Sequence, residues 1–112
     1  MGKRKEQLDS FLNGLNALGQ ESPEAAGAFM ELLKGAYKPG KLDLKTKELI
    51  SVAIGCYNRC VYCIVYHVNE ALKAGATREE IIEAAMVSVA FGGGPSMAYA
   101  VTALKDTLDE FA

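Results

Sequence analysis

The sequence predicts an all-α protein in which about six helices form a single domain spanning residues 1–112. Apolar residues recur every three or four positions through most of the chain, which is the spacing of one helix face. Capping residues, glycine and proline divide this pattern into segments of helix length. A strand would alternate apolar and polar residues between two turn signals, and no segment does so.

The first helix is expected over residues 6–18, with Gly19 as its C-terminal stop. A second helix should begin after Ser22 as N-cap, with Pro23 in its first position, and end at Pro39-Gly40. The apolar positions that share one face are Leu8, Phe11, Leu12, Leu15 and Leu18 in the first helix, and Ala26, Phe29, Met30, Leu33 and Tyr37 in the second.

A third helix should begin at Asp43 and run to about Tyr57, with apolar residues over much of its circumference. Such a helix is either central to the fold or part of a subunit interface. After an interruption at Asn58-Arg59, a fourth helix is expected over about residues 60–73, with Gly75 as its C-terminal cap.

Thr77 and Glu80 have the spacing of a capping box before a fifth helix, which should end at the glycine run 92–94. Pro95 then starts a sixth helix. Both helices are rich in alanine, so they can approach their neighbours closely but supply few large side chains to a core. We therefore expect part of the apolar surface to be buried between the subunits of a homo-oligomer.

The charge balance argues against several partners. The formal net charge is −2 and no basic stripe accompanies it, so no nucleic-acid partner is predicted. The basic start, residues 3–5, is interpreted as a solvated terminus. No apolar region follows it as in a signal peptide, and no uninterrupted apolar run approaches the roughly 18 residues of a membrane helix. We expect a cytoplasmic protein with no membrane partner.

Cys60 and Cys63 form a C-x-x-C motif, and His67, the only histidine, follows four residues later. Clustered cysteines in a reducing compartment indicate redox chemistry or metal binding. At a helix N-terminus, Cys60 would face unpaired N–H groups that favour the thiolate. Cys63 lies on the same face within disulfide reach, and His67 lies one turn beyond, where it can accept a thiol proton. Glu48 in the third helix is a candidate for the same proton relay.

A zinc site is an open alternative. The possible Cys3His ligands are Cys56, Cys60, Cys63 and His67. They would crowd onto one or two helical turns, whereas structural zinc sites gather their ligands from separate segments. Redox chemistry is therefore favoured, no metal or cofactor is predicted, and Cys56 is interpreted as a small buried apolar residue.

Other residues near the motif also have a structural interpretation. Glu48 could pair with Lys45 or Lys47 rather than act on a substrate. Tyr62 and Tyr66 are interpreted as packing residues whose hydroxyls could reach the site.

At these positions the chain resembles the carboxymuconolactone decarboxylase superfamily, and within it the alkylhydroperoxidase D (AhpD)-like branch. The matching pattern is a glutamate, eleven intervening residues, C-x-x-C, three residues and a histidine, here Glu48, Cys60, Cys63 and His67. Flanking segments are also similar, so the resemblance covers about residues 40–100. Known AhpD members carry a histidine immediately before the second cysteine, where this chain has Tyr62.

The resemblance implies an AhpD-like helical bundle that assembles into a ring, either a trimer or a hexamer built as a trimer of dimers. It also implies that Cys63, deprotonated through His67 and a water with Glu48 in the relay, attacks a peroxide to form a sulfenic acid. Cys60 then condenses with Cys63, and an external dithiol reductant reopens the disulfide. The helix dipole alone favours Cys60 as the attacking thiol, but the adjacent His67 and the resemblance favour Cys63, which we adopt.

Three functional hypotheses follow. The first is a thiol-dependent peroxidase or disulfide reductase that acts on a small-molecule peroxide or disulfide. The second is a cofactor-free γ-carboxymuconolactone decarboxylase, although that branch generally lacks the C-x-x-C pair. The third is a non-enzymatic oligomer whose disulfide changes its assembly.

Overall fold

The computed structural model describes residues 2–112, and within them it contains five helical stretches and no strand. The helices are α1 (Lys3–Glu21), α2 (Pro23–Tyr37), α3 (Leu44–Tyr57), α4 (Val61–Lys73), and a last stretch made of α5 (Arg78–Tyr99), a π-helical segment (Ala100–Leu104) and α6 (Lys105–Phe111). The all-α fold class is confirmed. The predicted count of about six corresponds to five stretches, the last of which is broken once.

That break lies at Gly93, inside α5, where the backbone leaves the helical region with φ 61° and ψ −141°. Glycine has no Cβ and adopts this conformation without steric cost. Pro95 follows two residues later and lies in the resumed helix. The prediction that one helix ends in the glycine run and another starts at Pro95 therefore describes this change of direction.

α3 is the central helix, because it packs against both α4 and α5. Its residues Val52 and Cys56 are fully buried in one core cluster with Ile64 of α4 and Ile81 of α5. This confirms the first of the two predicted places for α3. The opposite side of α3 carries Ile54, which is 54% exposed.

α1 begins earlier than predicted because α6 holds its first turn. Arg4 is only 8% exposed, and its guanidinium lies 3.2 Å from the carboxylate of Asp106. Glu110 accepts hydrogen bonds from the backbone N–H groups of Arg4 and Lys5. The interpretation of the basic start as a solvated terminus is therefore wrong for Arg4, whereas Lys3 and Lys5 are exposed as expected.

α1 and α2 form a hairpin with a single residue between them. Gly19 does not end α1, since the helix continues to Glu21. Ser22 makes no side-chain cap; its backbone N–H donates to the carbonyl of Leu18, and its carbonyl accepts from Ala26. α2 contains no fully buried residue, so its apolar side lies open along one wall of a cavity.

Side-chain caps hold the starts of α3 and α5, as predicted. Asp43 accepts a hydrogen bond from the N–H of Thr46 at 2.8 Å, and hydrogen bonds from Thr46 lower the pKa of Asp43. Thr77 and Glu80 form a reciprocal capping box. The backbone N–H of Thr77, and after it the Lys45 ammonium 3.0 Å away, lower the pKa of Glu80.

The helical stretch Arg78–Phe111 contains an 18-residue window with a mean hydropathy of 1.3, which is long and apolar enough to cross a membrane by composition alone. The longest apolar run in the sequence, residues 81–94, lies within this stretch and is interrupted by Glu83, so no membrane helix was predicted there. The break at Gly93 and the packing of α5 against α3 are features of a helix in a bundle. Only 22% of the window is buried, so apolar side chains remain on the surface.

Candidate functional site

The two cysteines of the motif lie at the start of α4. Cys60 is its N-cap, in an extended conformation, and the Cys60 sulfur accepts a hydrogen bond from the backbone N–H of Cys63 at 3.2 Å. The two residues form a disulfide with a Cα–Cα distance of 5.2 Å. The sequence placed Cys60 inside the helix, but the structure places it one position before, where its sulfur still meets the unpaired N–H groups.

The turn between α3 and α4 fixes the position of Cys60. Arg59 has a φ of 55°, which an L-residue adopts only where its surroundings hold it. Its N–H donates to the carbonyl of Cys56, and the N–H of Cys60 donates to the carbonyl of Gly55. These two bonds turn the chain back at the end of α3, so α4 begins close beside it.

Glu48 and His67 form a hydrogen-bonded pair across the α3–α4 contact. Glu48 Oε1 lies 2.7 Å from His67 Nδ1, with 6% of the glutamate side chain and 18% of the imidazole exposed. An ionised carboxylate only accepts hydrogen bonds, so Nδ1 is the donor of this bond when Glu48 is ionised, and Nε2 is the nitrogen that does not face Glu48. The alternative pairing of Glu48 with a lysine is wrong, because Lys45 binds Glu80 and Lys47 binds backbone carbonyls of residues 36 and 38.

Two tyrosines enclose the imidazole. Tyr37 of α2 stacks on the His67 ring with centroids 5.6 Å apart and an angle of 19° between the planes. Tyr66 meets the same ring edge-on, at 5.0 Å and 82°. Burial raises the pKa of Tyr66, and the nearby Glu70 and Glu48 carboxylates raise it further. The Tyr66 hydroxyl therefore stays protonated at neutral pH.

Tyr37 was not among the predicted site residues; its spacing placed it only on the apolar face of α2. No spacing in the chain connects Tyr37 to His67, because the contact depends on how the α1–α2 hairpin folds over α4. The interpretation of Tyr62 and Tyr66 as packing residues agrees with the structure, since both rings lie beside that of Phe11. The ring centroids are 6.5 Å apart for Phe11 and Tyr62, and 5.7 Å apart for Phe11 and Tyr66.

The disulfide and the Glu48–His67 pair line one cavity of about 680 Å³. α1 and α2 supply its apolar wall, which consists of Phe11, Leu12, Leu15, Phe29, Met30 and Leu33. The polar side is formed by Glu48, Cys60, Cys63 and His67, together with Tyr37, Tyr62, Tyr66, Lys34 and Glu70. The structure thus brings all four predicted site residues to one cavity with mainly apolar walls, which is the usual character of a small-molecule site.

A match to a known family covers most of the chain. The sequence pattern of the carboxymuconolactone decarboxylase family matches residues 23–106. The chain belongs to this family. The resemblance recognised from the Glu48 to His67 motif is thereby confirmed.

Solved structures of family members have the same fold. The carboxymuconolactone decarboxylase family protein lpg0406 from Legionella pneumophila superposes with a TM-score of 0.92 at 38% identity, covering 97% of this chain and 96% of that one. TM1620 from Thermotoga maritima, at 36% identity and a TM-score of 0.70, covers 77% of this chain. The description of TM1620 suggests involvement in an antioxidative response.

Two similar bacterial proteins carry no assigned activity. An uncharacterized protein of Cupriavidus necator is 38% identical over 100 residues, which are 89% of this chain and 88% of that protein. Uncharacterized protein 4 in the cox locus of Paracoccus denitrificans is 41% identical over 97 residues, covering 84% and 86% of the two chains. Neither relative has a named reaction, so the site itself is the basis for a proposed function.

The third cysteine, Cys56, lies in the core and does not line the cavity. Cys56 is fully buried in the core, as predicted, and burial raises the pKa of its thiol to about 11. Within residues 2–112, no group of three or more His, Cys, Asp and Glu side chains is arranged to hold a metal ion. The zinc alternative, which needed Cys56 beside the motif cysteines, finds no support in this arrangement.

Proposed function

We propose that this protein is a thiol-dependent peroxidase or disulfide reductase in which Cys63 attacks the substrate and Cys60 resolves the intermediate. The observation that carries this proposal is that the Cys60–Cys63 disulfide and the Glu48–His67 pair line the same cavity. A thiol pair and a proton acceptor in one cavity are the groups that such chemistry requires. The antioxidative role suggested for TM1620 supports the same conclusion.

The first half of the reaction oxidises the thiol pair. His67 Nε2 takes the proton of Cys63 through a water, while Nδ1–H stays bonded to Glu48. The thiolate attacks one oxygen of a peroxide ROOH, the O–O bond breaks, Cys63 becomes a sulfenic acid, and RO⁻ leaves as ROH with the proton from His67. The Cys60 thiol then attacks the sulfenic sulfur, so the disulfide forms and water leaves.

The second half restores the thiols. An external dithiol attacks the Cys60–Cys63 disulfide, becomes a disulfide itself, and returns two electrons and two protons to the protein. Because this step needs a supply of reduced dithiol, we propose that the protein works in the cytoplasm. A small disulfide could replace the peroxide as the oxidant of the same thiol pair.

Peroxide consumption tests the proposal. The purified protein should consume cumene hydroperoxide or H2O2 with dithiothreitol as reductant, and Cys63→Ser should abolish turnover. Cys56→Ala, which changes a buried cysteine outside the cavity, should retain it. Wild-type rates in Cys63→Ser would overturn the proposal.

The thiol pKa values give a second test. Alkylation of the reduced protein at several pH values, read by mass spectrometry for each cysteine, should show one motif thiol with a pKa below the unperturbed value of ~8.5. Cys56, with its pKa raised to about 11, is the unreactive internal reference. Motif thiols that both titrate at the unperturbed value would count against a catalytic pair.

The second candidate is the decarboxylation of γ-carboxymuconolactone. The Glu48–His67 pair in a large cavity favours it, because proton transfer of this kind requires no thiol. Turnover of the lactone should then survive Cys60→Ser and fail in His67→Gln. Absence of turnover by the wild-type protein would remove this candidate.

We further propose a homo-oligomer, either a trimer or a hexamer, joined through an apolar surface on α3 and α5. Ile54, Tyr57, Val87 and Phe91 line an open groove there, and Phe91 is 82% exposed. Light scattering should give a multiple of the chain mass of 12.0 kDa, and Phe91→Lys should reduce it. If oxidant and reductant change the mass, the protein is also a redox-responsive assembly; an equal mass in both removes that hypothesis.

A further inference from the structure

Tyr37 is attached to the helix that supplies Glu48. The Ser51 hydroxyl donates to the carbonyl of Lys47 at 2.9 Å, so the Tyr37 hydroxyl is the donor in its hydrogen bond to Ser51 Oγ. Ser51 lies three residues after Glu48, on the same face of α3. One face of α3 therefore carries both the carboxylate that binds the imidazole and the anchor of the ring that covers it.

The backbone around Tyr37 is fixed as well. The Lys47 ammonium donates to the carbonyls of Ala36 and Lys38, at 3.0 and 2.6 Å, on either side of Tyr37. These two bonds hold the C-terminal end of α2 on α3. α2 has no fully buried residue, and these bonds attach its last turn to the site, while α1 packs against α4 on the other side of the hairpin.

We propose that Tyr37 is a positioning residue, which holds the His67 imidazole in the one plane where Nδ1 meets Glu48 and Nε2 is free for the thiol proton. The His67 ring can rotate about its Cβ–Cγ bond, and rotation would break the bond to Glu48. Tyr37 covers the ring face and Tyr66 its edge, so both oppose this rotation. Tyr66 comes from α4 itself, whereas Tyr37 comes from α2, so closure of the hairpin over the cavity also orders the imidazole.

The consequence for catalysis rests on the proposed function, but the ring orientation can be measured without it. His67 is the only histidine in the chain, so its imidazole nitrogens give the only histidine signals in a ¹⁵N NMR spectrum. In the wild-type protein at neutral pH, Nδ1 should appear protonated and Nε2 unprotonated, with widely separated shifts. In Tyr37→Leu the two shifts should move together, as expected for exchange between tautomers.

Tyr37→Phe and Ser51→Ala separate stacking from anchoring. Phenylalanine keeps a ring on the imidazole but loses the bond to Ser51, so Tyr37→Phe and Ser51→Ala should each shift the ¹⁵N signals part of the way. The double variant should do no more than either single one. Tyr37→Phe also replaces Tyr37→Leu if the latter fails to fold. Wild-type ¹⁵N shifts in a folded Tyr37→Leu protein, or in both milder variants if it does not fold, would overturn the proposal.

If the protein is a peroxidase, Tyr37→Leu should lower kcat on the order of tenfold at nearly unchanged KM, because the proton acceptor is misplaced. Its pH profile should change, and that of Tyr37→Phe should change less. Altered NMR shifts in a protein without peroxidase activity would reject the proposed function and retain the role of Tyr37. Normal shifts with intact activity would reject the role of Tyr37 alone.

Discussion

The sulfur of Cys60 accepts a hydrogen bond from the backbone N–H of Cys63, 3.2 Å away, so the two residues of the disulfide also form the N-terminal cap of α4. This bond uses one of the N–H groups that the first turn of a helix leaves unpaired. The same donors favour a negative charge on the Cys60 sulfur when the disulfide is reduced. The Cys60 sulfur therefore both caps α4 and forms the disulfide.

Replacement of Cys60 should separate these two roles. Cys60→Ser retains an N-cap acceptor, whereas Cys60→Ala removes it, so under reducing conditions the alanine variant should be less stable by about 1 kcal/mol. Urea unfolding followed by circular dichroism measures the difference. Both variants lack the disulfide, so equal unfolding midpoints would show that the sulfur has no capping role.

Gly55 should not tolerate a side chain, although it lies within a helix. A Cβ at this position would lie 3.3 Å from both the backbone nitrogen and Cγ1 of Ile64, and 3.4 Å from Cys63 Cβ. The start of α4 would have to move, so Gly55→Ala should lower the free energy of unfolding by about 1 kcal/mol. Gly27 of α2 has open space around its Cα and is the matched control. Gly27→Ala should raise stability by roughly 0.5–1 kcal/mol, since alanine favours a helix.

Equal stabilisation by Gly55→Ala and Gly27→Ala would contradict the close packing of α3 on α4. The bond between Glu48 and His67 crosses the same contact, so the ¹⁵N signals of His67 should also change in Gly55→Ala and stay unchanged in Gly27→Ala.

At Gly93 the backbone conformation, and not the space around the residue, determines whether a side chain is tolerated. A Cβ at Gly93 would have no neighbour within 4 Å, but its φ of 61° disfavours any other residue. Gly93→Ala should therefore destabilise the protein by about 1–3 kcal/mol. Gly94 has the same open surroundings without a positive φ, so Gly94→Ala should change stability by less than about 0.5 kcal/mol. Thermal unfolding of the pair measures this contrast, and similar effects of the two changes would show that the positive φ at Gly93 does not disfavour a side chain there.

The capping box of α5 should make stability depend on acid pH. Hydrogen bonds from the Thr77 N–H and Lys45 lower the pKa of Glu80 below the ordinary glutamate value of 4.5. A carboxyl group with a lowered pKa in the folded state contributes stability above its unfolded pKa, and this contribution is lost as pH falls through the folded value. Stability should thus fall as the pH drops below about 4.5, and Glu80→Gln should reduce this dependence.

Glu79 is the control for this prediction, because it is adjacent, exposed and in the same helical turn. Urea midpoints at neutral and acid pH should show a smaller difference for Glu80→Gln than for the wild type, and an unchanged difference for Glu79→Gln. If the difference between the two midpoints were reduced in Glu79→Gln and unchanged in Glu80→Gln, Glu80 would not be the acid-sensitive group.

The sequence was sufficient wherever a local signal determined the structure. Asp43 and the Thr77–Glu80 box marked helix starts because their bonds lie within one turn of the residues that they cap. The signal at Gly19 failed, because a glycine after an apolar run stops a helix only if the chain then turns, and here α1 continues to Glu21.

The candidate site was likewise predictable only where its residues follow a local sequence pattern. The four residues of the motif could be found because their spacing matches a known pattern. Tyr37 and the anchor at Ser51 could not, since their contacts join α2 to α3 and α4 and depend on tertiary packing. Arg4 was misjudged for the same reason, as its partners lie about a hundred positions away in α6.

The Cys60–Cys63 disulfide joins residues with a sequence separation of 3. A cross-link restricts the unfolded chain more as the loop that it closes grows longer, and this loop is close to the shortest possible. Breaking the bond should therefore lower the free energy of unfolding by only about 2 kcal/mol, compared with about 3 kcal/mol for a 15-residue loop. A cysteine pair with this spacing can be oxidised and reduced with a smaller change in stability than a cross-link between distant residues would cause.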